Sequence, residues 1–290
     1  MEAILFKIIN RYFKLFVCLN IILFCRCTDN YHNYDPNRLV VIDVGQGLSC
    51  LVQSQGDFWL LDAGGDSTLN WEKTLKQHHV KKLKGVLISH WHLDHYSGLT
   101  EIITAFPVDS LWYGPDNGYA YISKTLISTA QKQQIGTRKL QGPQNLQWNS
   151  LEAQVLWPQI HTNTAEGNPS SLVIRVGSPQ HGWFLFTGDI GFAEEEQILI
   201  YNNSIESDIL IVPHHGSGNS SSVAFVGAVN PFFAAISVGK NPWGLPRQEV
   251  LDRLQLVMGK SRKNDILRTD QKGDLHFLQV KHFGWTQETH

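Results

Sequence analysis

Residues 85–95 decide the fold of this chain and read Gly85-Val86-Leu87-Ile88-Ser89-His90-Trp91-His92-Leu93-Asp94-His95. The apolar run that opens the stretch is typical of a short buried strand. Imidazoles and a carboxylate follow at once, and these are the ligands that borderline and hard divalent metals prefer. An extended backbone places His90 and His92 on one side, where both can reach one ion. Asp94 and His95 can reach a second ion as the chain turns.

Two neighbouring ions would activate water and polarise a substrate oxygen. The alternative interpretation of this stretch is a histidine-rich surface loop. The chain has only 13 His among its 290 residues, so chance placement seldom gives this spacing. A pair of ions also needs more ligands than this stretch holds, and the others must come from later segments.

The composition is that of a globular protein without a global basic surface. The chain has 42% hydrophobic residues and a formal net charge of -2, so it can bury a core as one large domain or two small ones. Nucleic-acid contacts would have to be local, and the alternative for each basic cluster is a solvated surface. Three of the 4 Cys lie in the first 27 residues, so we expect neither disulfides nor a cysteine-based zinc site in the body of the protein.

Composition divides the chain into four segments. Residues 1–27 combine basic residues with an apolar run, which favours an export signal or an uncleaved membrane anchor. The alternative is a wrongly assigned start or a fragment of a longer membrane protein. Residues 28–38 are polar and are predicted as a linker. Strands and interleaved helices fill residues 39–280, which predicts a layered α/β (α+β) domain, and residues 281–290 are expected to form a tail.

Two aspartates follow other predicted strands. Asp189 comes after the apolar run 183–186, where a carboxylate can bridge two cations, although a hydrogen-bonded turn is the alternative. Asp62 ends the run 57–61. It can accept the second ring proton of a ligand histidine, and the alternative is a plain turn residue.

The segment Pro213-His214-His215-Gly216-Ser217 also follows an apolar run. One histidine can complete the metal set while the other faces the substrate as a proton donor. The sequence does not decide which histidine takes which role, and the alternative is an exposed loop. Gly216 would let a substrate approach the backbone, and Ser217 can bond a phosphate oxygen. Asp94 and His215 are the candidate catalytic residues.

Taken together, His90-Trp91-His92-Leu93-Asp94-His95 resembles the signature of the metallo-β-lactamase superfamily. The resemblance implies a four-layer αββα sandwich that holds two divalent metal ions, zinc or manganese. The metal ligands that it implies are His90, His92, Asp94, His95, Asp189 and one or both of His214 and His215.

Residues 41–47, 185–190 and 212–217 further resemble the soluble domain of ComEC-type competence proteins. Many superfamily members carry another histidine ahead of Asp189, whereas this chain has Asn168-Pro169-Ser170-Ser171. The resemblance therefore implies that one ion is less fully ligated and that Asn168 or Ser171 contacts substrate.

ComEC-type proteins resemble a membrane channel joined to this domain, and the present chain has at most one apolar span. We therefore expect a stand-alone relative or a separated C-terminal piece beside a separate channel. The domain would lie on the extracytoplasmic side, exported or anchored through residues 1–27.

The resemblance implies a metal-dependent phosphodiesterase, a nuclease acting on DNA in competence-type uptake. One alternative is a hydrolase of another ester or amide, because fold alone does not choose a substrate. The other is a non-catalytic DNA-uptake subunit whose metal is structural.

Overall fold

The structure is a computed structural model, and it describes residues 36–115, 119–160, 167–259, 265–280 and 284–288. Within these ranges no helix is both long and apolar enough to cross a membrane. The predicted signal or anchor at residues 1–27 lies outside the described residues, as does most of the predicted linker.

Strands in the described residues form two sheets. The first contains β1 (Arg38–Val41), β2 (Cys50–Ser54), β3 (Asp57–Leu61), β4 (Gly85–Ile88), β5 (Ser110–Tyr113), β6 (Gly136–Lys139), β14 (Leu275–Val280) and β15 (Gly284–Gln287). The second contains β7 (Gln144–Trp148), β8 (Leu151–Trp157), β9 (Val173–Ser178), β10 (Gly182–Phe186), β11 (Ile209–Ile211), β12 (Phe233–Ile236) and β13 (Asp265–Arg268). Their spatial orders are β15-β14-β1-β2-β3-β4-β5-β6 and β13-β12-β11-β10-β9-β8-β7.

Helices connect these strands in both halves of the chain. The first half holds α1 (Trp71–Gln77), α2 (Leu93–Tyr96), α3 (Leu99–Ala105) and α4 (Ala120–Lys132). The second half holds α5 (Phe192–Tyr201), α6 (Val223–Val229), α7 (Gln248–Met258) and α8 (Thr269–Lys272). Single 3-10 turns lie at Asn168–Ser170 and Pro213–Gly216.

Alternation along the strands builds the layers. Leu87 of β4 enters the apolar cluster between the two sheets, while Val86 and Ile88 face α1, α3 and α4. In β10, Phe186 lies between the sheets and Leu185 faces the cluster under α5, α6 and α7. Successive strand residues point to opposite faces, so each strand feeds two cores. The expected four-layer αββα sandwich is confirmed.

The parallel part of each sheet positions the site. Strands β3 to β6 run parallel, and so do β10 to β13. The candidate residues follow the carboxyl ends of β3, β4, β10 and β11. Carboxyl ends of parallel strands meet at one edge of a sheet, where loops carry binding groups.

Both predicted borders of the domain need correction. Gly284–Gln287 forms β15 and pairs with β14, and Trp285 is 2% exposed in the core between the sheets, so these residues are not a tail. At the other end β1 begins at Arg38, and the buried Asn37 amide donates to Gln279 at 2.7 Å. The last residues of the predicted linker therefore belong to the fold.

Candidate metal centre

The loop after β4 is held against the segment after β3 by backbone hydrogen bonds. The Ala63 N–H donates to the His95 carbonyl at 2.8 Å, and the Leu48 N–H donates to the Asp94 carbonyl at 3.0 Å. A Cβ at position 64 would lie 1.5 Å from the Asp94 carbonyl oxygen, so only Gly64 permits this approach. The turn that directs Asp94 and His95 inward is thus fixed from outside the motif.

The structure brings the predicted ligands into two adjoining groups. One contains His90, His92 and Asp189, and the other contains Asp94, His95, Asp189 and His215, with the ligand atoms of each group within 4.8 Å of one another. The His95 Nε2 lies 3.1 Å from Asp189 Oδ1. The His215 Nε2 lies 3.5 Å from Asp94 Oδ2 and 3.8 Å from Asp189 Oδ1. Asp189 belongs to both groups, as a bridging ligand requires.

Buried atoms in these groups are unsatisfied. Among the described residues, no hydrogen bond reaches the Nε2 atoms of His90, His95 and His215 or the Oδ1 atom of Asp189. A buried polar atom without a partner costs about 1–3 kcal/mol, and four in one place suggest a missing partner. Divalent cations would satisfy all four, so the donor set fits the two ions that the sequence resemblance implies.

Asp62 holds one histidine of each group. Its Oδ2 accepts from His95 Nδ1 at 2.6 Å and from Ser89 Oγ at 2.7 Å, and its Oδ1 accepts from the Ser89 N–H at 2.6 Å. The Ser89 hydroxyl donates to Asp62, so it can accept from His90 Nδ1, 3.1 Å away. Both histidines are left with Nε2 free for a metal. Asp62 lies where the sequence predicted a supporting carboxylate.

Ser89 and Ser237 were not predicted. The Ser237 carbonyl lies 2.8 Å from His215 Nδ1 and fixes that ring with Nε2 toward Asp94. Ser89 could have been found, because it is a polar residue between an apolar strand and His90. The role of Ser237 rests on a backbone carbonyl, which leaves no trace in the residue type.

His92 is held differently from the other histidines. Its Nε2 lies 2.7 Å from the Tyr119 hydroxyl, which leaves Nδ1 as the atom that can face an ion. Tyr119 was not predicted, because it is 27 residues away in the chain and no motif surrounds it. The two rings pack edge to face, with centroids 5.2 Å apart.

Burial and charge divide the histidines of the metal-free protein into two kinds. Burial and the neighbouring His95 lower the pKa of His90 well below its usual value. Burial alone would also lower the pKa of His95, but Asp189 and Asp62 outweigh it and raise that pKa. Burial opposes ionisation of Asp94, yet contact with His215 and the charge of His95 lower its pKa to about 2. In the metal-free protein His90 is therefore neutral, whereas His95 carries a proton.

The Pro213–Gly216 turn separates the two histidines that the sequence could not distinguish. His214 and His215 both have φ of 53°, a strained conformation for residues other than glycine. His215 is buried within a ligand group. His214 lies outside both groups, with Nε2 3.8 Å from Asp189 Oδ2 and 3.1 Å from the Asn168 amide nitrogen. The geometry favours His215 as the ligand.

Two of the other three predicted substrate contacts line the cavity, and the third is buried. Asn168 and Ser217 line the cavity beside the two groups. Ser171 is 0% exposed, and its Oγ accepts from the Asp189 N–H at 3.1 Å. The expectation that Ser171 contacts substrate does not agree with this position, and its hydroxyl instead supports Asp189.

A cavity of about 330 Å³ opens above the ligand groups, a size at the lower end of small-ligand sites. Its walls comprise Gln46, His92, Asp94, Asn168, Asp189, His214, His215, Ser217, Trp243, Leu245 and Arg247. Sequence reasoning missed Gln46, Trp243, Leu245 and Arg247 as lining residues, because they approach the site only after folding.

The sequence of this chain is similar to those of competence proteins. ComE operon protein 3 of Bacillus subtilis is 27% identical over 264 residues, which are 84% of this chain and 33% of that protein. Competence protein ComA of Neisseria gonorrhoeae is 29% identical over 243 residues, which are 82% of this chain and 32% of that protein. The chain thus spans about a third of the length of these curated relatives.

A solved structure shares the fold. The metallo-beta-lactamase fold protein YhfI of Bacillus subtilis has a TM-score of 0.53 at 13% identity, covering 83% of this chain and 99% of that one. The sequence model of the metallo-beta-lactamase superfamily matches residues 42–231. With the αββα layers and the His and Asp groups in place, this chain belongs to the metallo-β-lactamase superfamily.

Proposed function

We propose that this protein is a metal-dependent phosphodiesterase that cleaves DNA. The observation that carries the proposal is the sharing of Asp189 by two ligand groups at the floor of an open cavity. Competence proteins among the relatives favour DNA over other phosphodiesters. A site with two ions suits in-line displacement at phosphorus, because both the attacking and the leaving oxygen need charge stabilisation.

The ions, when bound, would supply Lewis-acid activation of water and of the phosphodiester. His90, His92 and Asp189 would hold one, and Asp94, His95, Asp189 and His215 would hold the other. Asp62 keeps His95 oriented, and Ser217 at the wall can donate to a phosphate oxygen.

Proton transfer to the leaving oxygen falls to His214 rather than to His215. His215 is buried, with Nδ1 on the Ser237 carbonyl and Nε2 among the ligand atoms. The His214 side chain is 24% exposed, lines the cavity and contacts the Asn168 amide. Replacement of His214 should lower the rate of DNA cleavage by about 10²–10⁴-fold, the usual contribution of a positioned general acid. The metal content should stay unchanged.

The direct test incubates purified protein with single-stranded and double-stranded DNA, supplying Mn²⁺ or Zn²⁺. We expect cleavage that chelation abolishes and that Asp189→Asn lacks. If metal-loaded protein cleaves no DNA but hydrolyses a carboxyl ester or amide in a substrate panel, the superfamily activity stands and the proposed substrate is wrong. DNA binding that survives chelation without any hydrolysis would favour a non-catalytic subunit.

The setting of the activity is a further part of the proposal. We place the domain on the extracytoplasmic side, exported or anchored through residues 1–27, beside a separate channel that passes the product strand. Protease added to spheroplasts, with lysed cells as the control, tests this placement: a domain that stays protected until the cell membrane is lysed contradicts it.

A further inference from the structure

One loop at the cavity rim is held by hydrogen bonds although its largest side chain faces solvent. This rim loop comprises residues 239–247. The Asn241 amide nitrogen donates to the Leu245 carbonyl at 3.0 Å, and its oxygen accepts from the Leu245 N–H at 2.9 Å. The Arg247 N–H donates to the Gly216 carbonyl at 2.9 Å, which ties the loop to the turn that carries His214 and His215.

Trp243 lies on this hydrogen-bonded loop. It is 57% exposed and lines the cavity of the candidate metal centre. It belongs to none of the three apolar clusters formed by the described residues, so packing does not account for it. A large exposed aromatic at the rim of a polar cavity is typical of a binding surface.

Arg247 supplies a cation at the same rim. It lines the cavity with Trp243, and among the described residues no carboxylate comes within 4.0 Å of its guanidinium. The floor beneath holds Asp94 and Asp189, whose charges bound cations would balance. The charge of Arg247 is therefore available to an anion at the rim.

We propose that Trp243 and Arg247 form a nucleotide-binding rim for single-stranded nucleic acid. A base stacks on the indole, and the phosphate next to the scissile one pairs with the guanidinium. The inference rests on the proposed function, which places the scissile phosphodiester at the metal centre. Bases of a duplex are stacked on each other and unavailable to Trp243, so single strands should bind more tightly.

Stopped-flow anisotropy of a labelled oligothymidylate tests this, because it reads binding before turnover. A same-length abasic oligomer carries the same phosphates without bases. We expect Trp243→Ala to weaken oligothymidylate binding by about 5- to 150-fold, the range for one stacked base, and to leave abasic binding unchanged. Trp243→Phe should restore most of the affinity. Tyr201 is an exposed aromatic residue at the end of α5. Tyr201→Ala is therefore the matched control and should change the affinity for neither oligomer.

Arg247→Gln should act on the phosphates instead. It should weaken both oligomers alike and lower the salt dependence of binding by about one counterion, as expected when a single phosphate contact is lost. A structural effect of the substitution would not change the salt slope.

The outcomes separate this inference from the proposed function. Three outcomes would contradict nucleotide binding at the rim. They are an equal loss of affinity for both oligomers in Trp243→Ala, an equal affinity of the wild-type protein for both oligomers, and no binding of oligothymidylate. Base-dependent binding through Trp243 without cleavage after long incubation would contradict the nuclease and leave the rim standing. DNA cleavage at the same rate with and without Trp243 would support the nuclease and contradict the rim.

Discussion

Asp189 is the residue that both ligand groups share, and it is almost fully buried. Asp189→Asn keeps the size of the side chain and removes its charge. Two cations would then lose a common anionic ligand and repel each other more strongly. We expect metal content below that of the wild type and DNA cleavage at background, measured by elemental analysis and a cleavage assay on the same sample.

Asp62 provides the contrast, because it contacts the ligand residue His95 and belongs to neither ligand group. Asp62→Ala should weaken metal binding by about 10- to 100-fold, so that excess metal restores some turnover. It leaves the Ser89 and His95 donors buried without an acceptor, which should cost about 3 kcal/mol or more of folding free energy. If folded Asp62→Ala loses more metal and more activity than Asp189→Asn, the assignment of ligand and supporting residue is reversed.

The two groups should differ in how pH affects metal binding. The raised pKa of His95 keeps it protonated at neutral pH in the metal-free protein, and a metal must displace that proton. The pKa of His215 in the same group is raised as well, so metal affinity at this group should rise about tenfold per pH unit for each proton that the metal displaces. His90, whose pKa is lowered, is already neutral and should release none. Calorimetry in buffers of different ionisation enthalpy counts the protons, and no release at pH 7 would contradict this.

At the scale of single elements, strands with a continuous apolar run were predictable and edge strands were not. Asp57–Leu61 and Gly85–Ile88 lie where strands were predicted, because buried strands need continuous apolar side chains. β6 reads Gly-Thr-Arg-Lys at the edge of its sheet, where solvent removes that requirement. β15 was missed because only Trp285 marks it as buried.

Helix α5 supports the start of α6 through a buried carboxylate. Glu195 accepts from the N–H groups of Ser221 and Ser222 at the start of α6, so it satisfies donors near a helix N-terminus. Glu195→Ala should lower the free energy of unfolding by about 3 kcal/mol, measured by urea denaturation. The exposed Glu196 lies on the same helix, and Glu196→Ala should change stability by less than about 0.5 kcal/mol. Equal effects would mean that the carboxylate is not a structural contact.

For the whole molecule, the start of the folded unit is testable by truncation. Contacts divide the chain between Asp35 and Pro36, and we expect residues 36–290 to fold cooperatively alone. Residues 39–290 lack Asn37, which bonds Gln279 through both side chain and backbone, and should be less stable by about 1–3 kcal/mol. Thermal unfolding compares the two, and failure of 36–290 to fold would place the earlier residues in the core.

The site was predictable where its chemistry is local in sequence. His90, His92, Asp94 and His95 lie within six residues, and Asp189 and His215 each follow an apolar strand. Tyr119, Ser237 and the rim loop reach the site only through the fold, so their residue types gave no signal. The choice between His214 and His215 depended on the strained turn, which the sequence does not specify.

Cleavage of DNA should require two ions, held by the groups that share Asp189. The most direct measurement titrates Mn²⁺ or Zn²⁺ into metal-free protein at a concentration well above the dissociation constant while single-strand cleavage is followed. Activity should rise to a plateau at two equivalents per chain, and Asp189→Asn should show no such rise. A plateau at one equivalent, or cleavage that persists without metal, would contradict it.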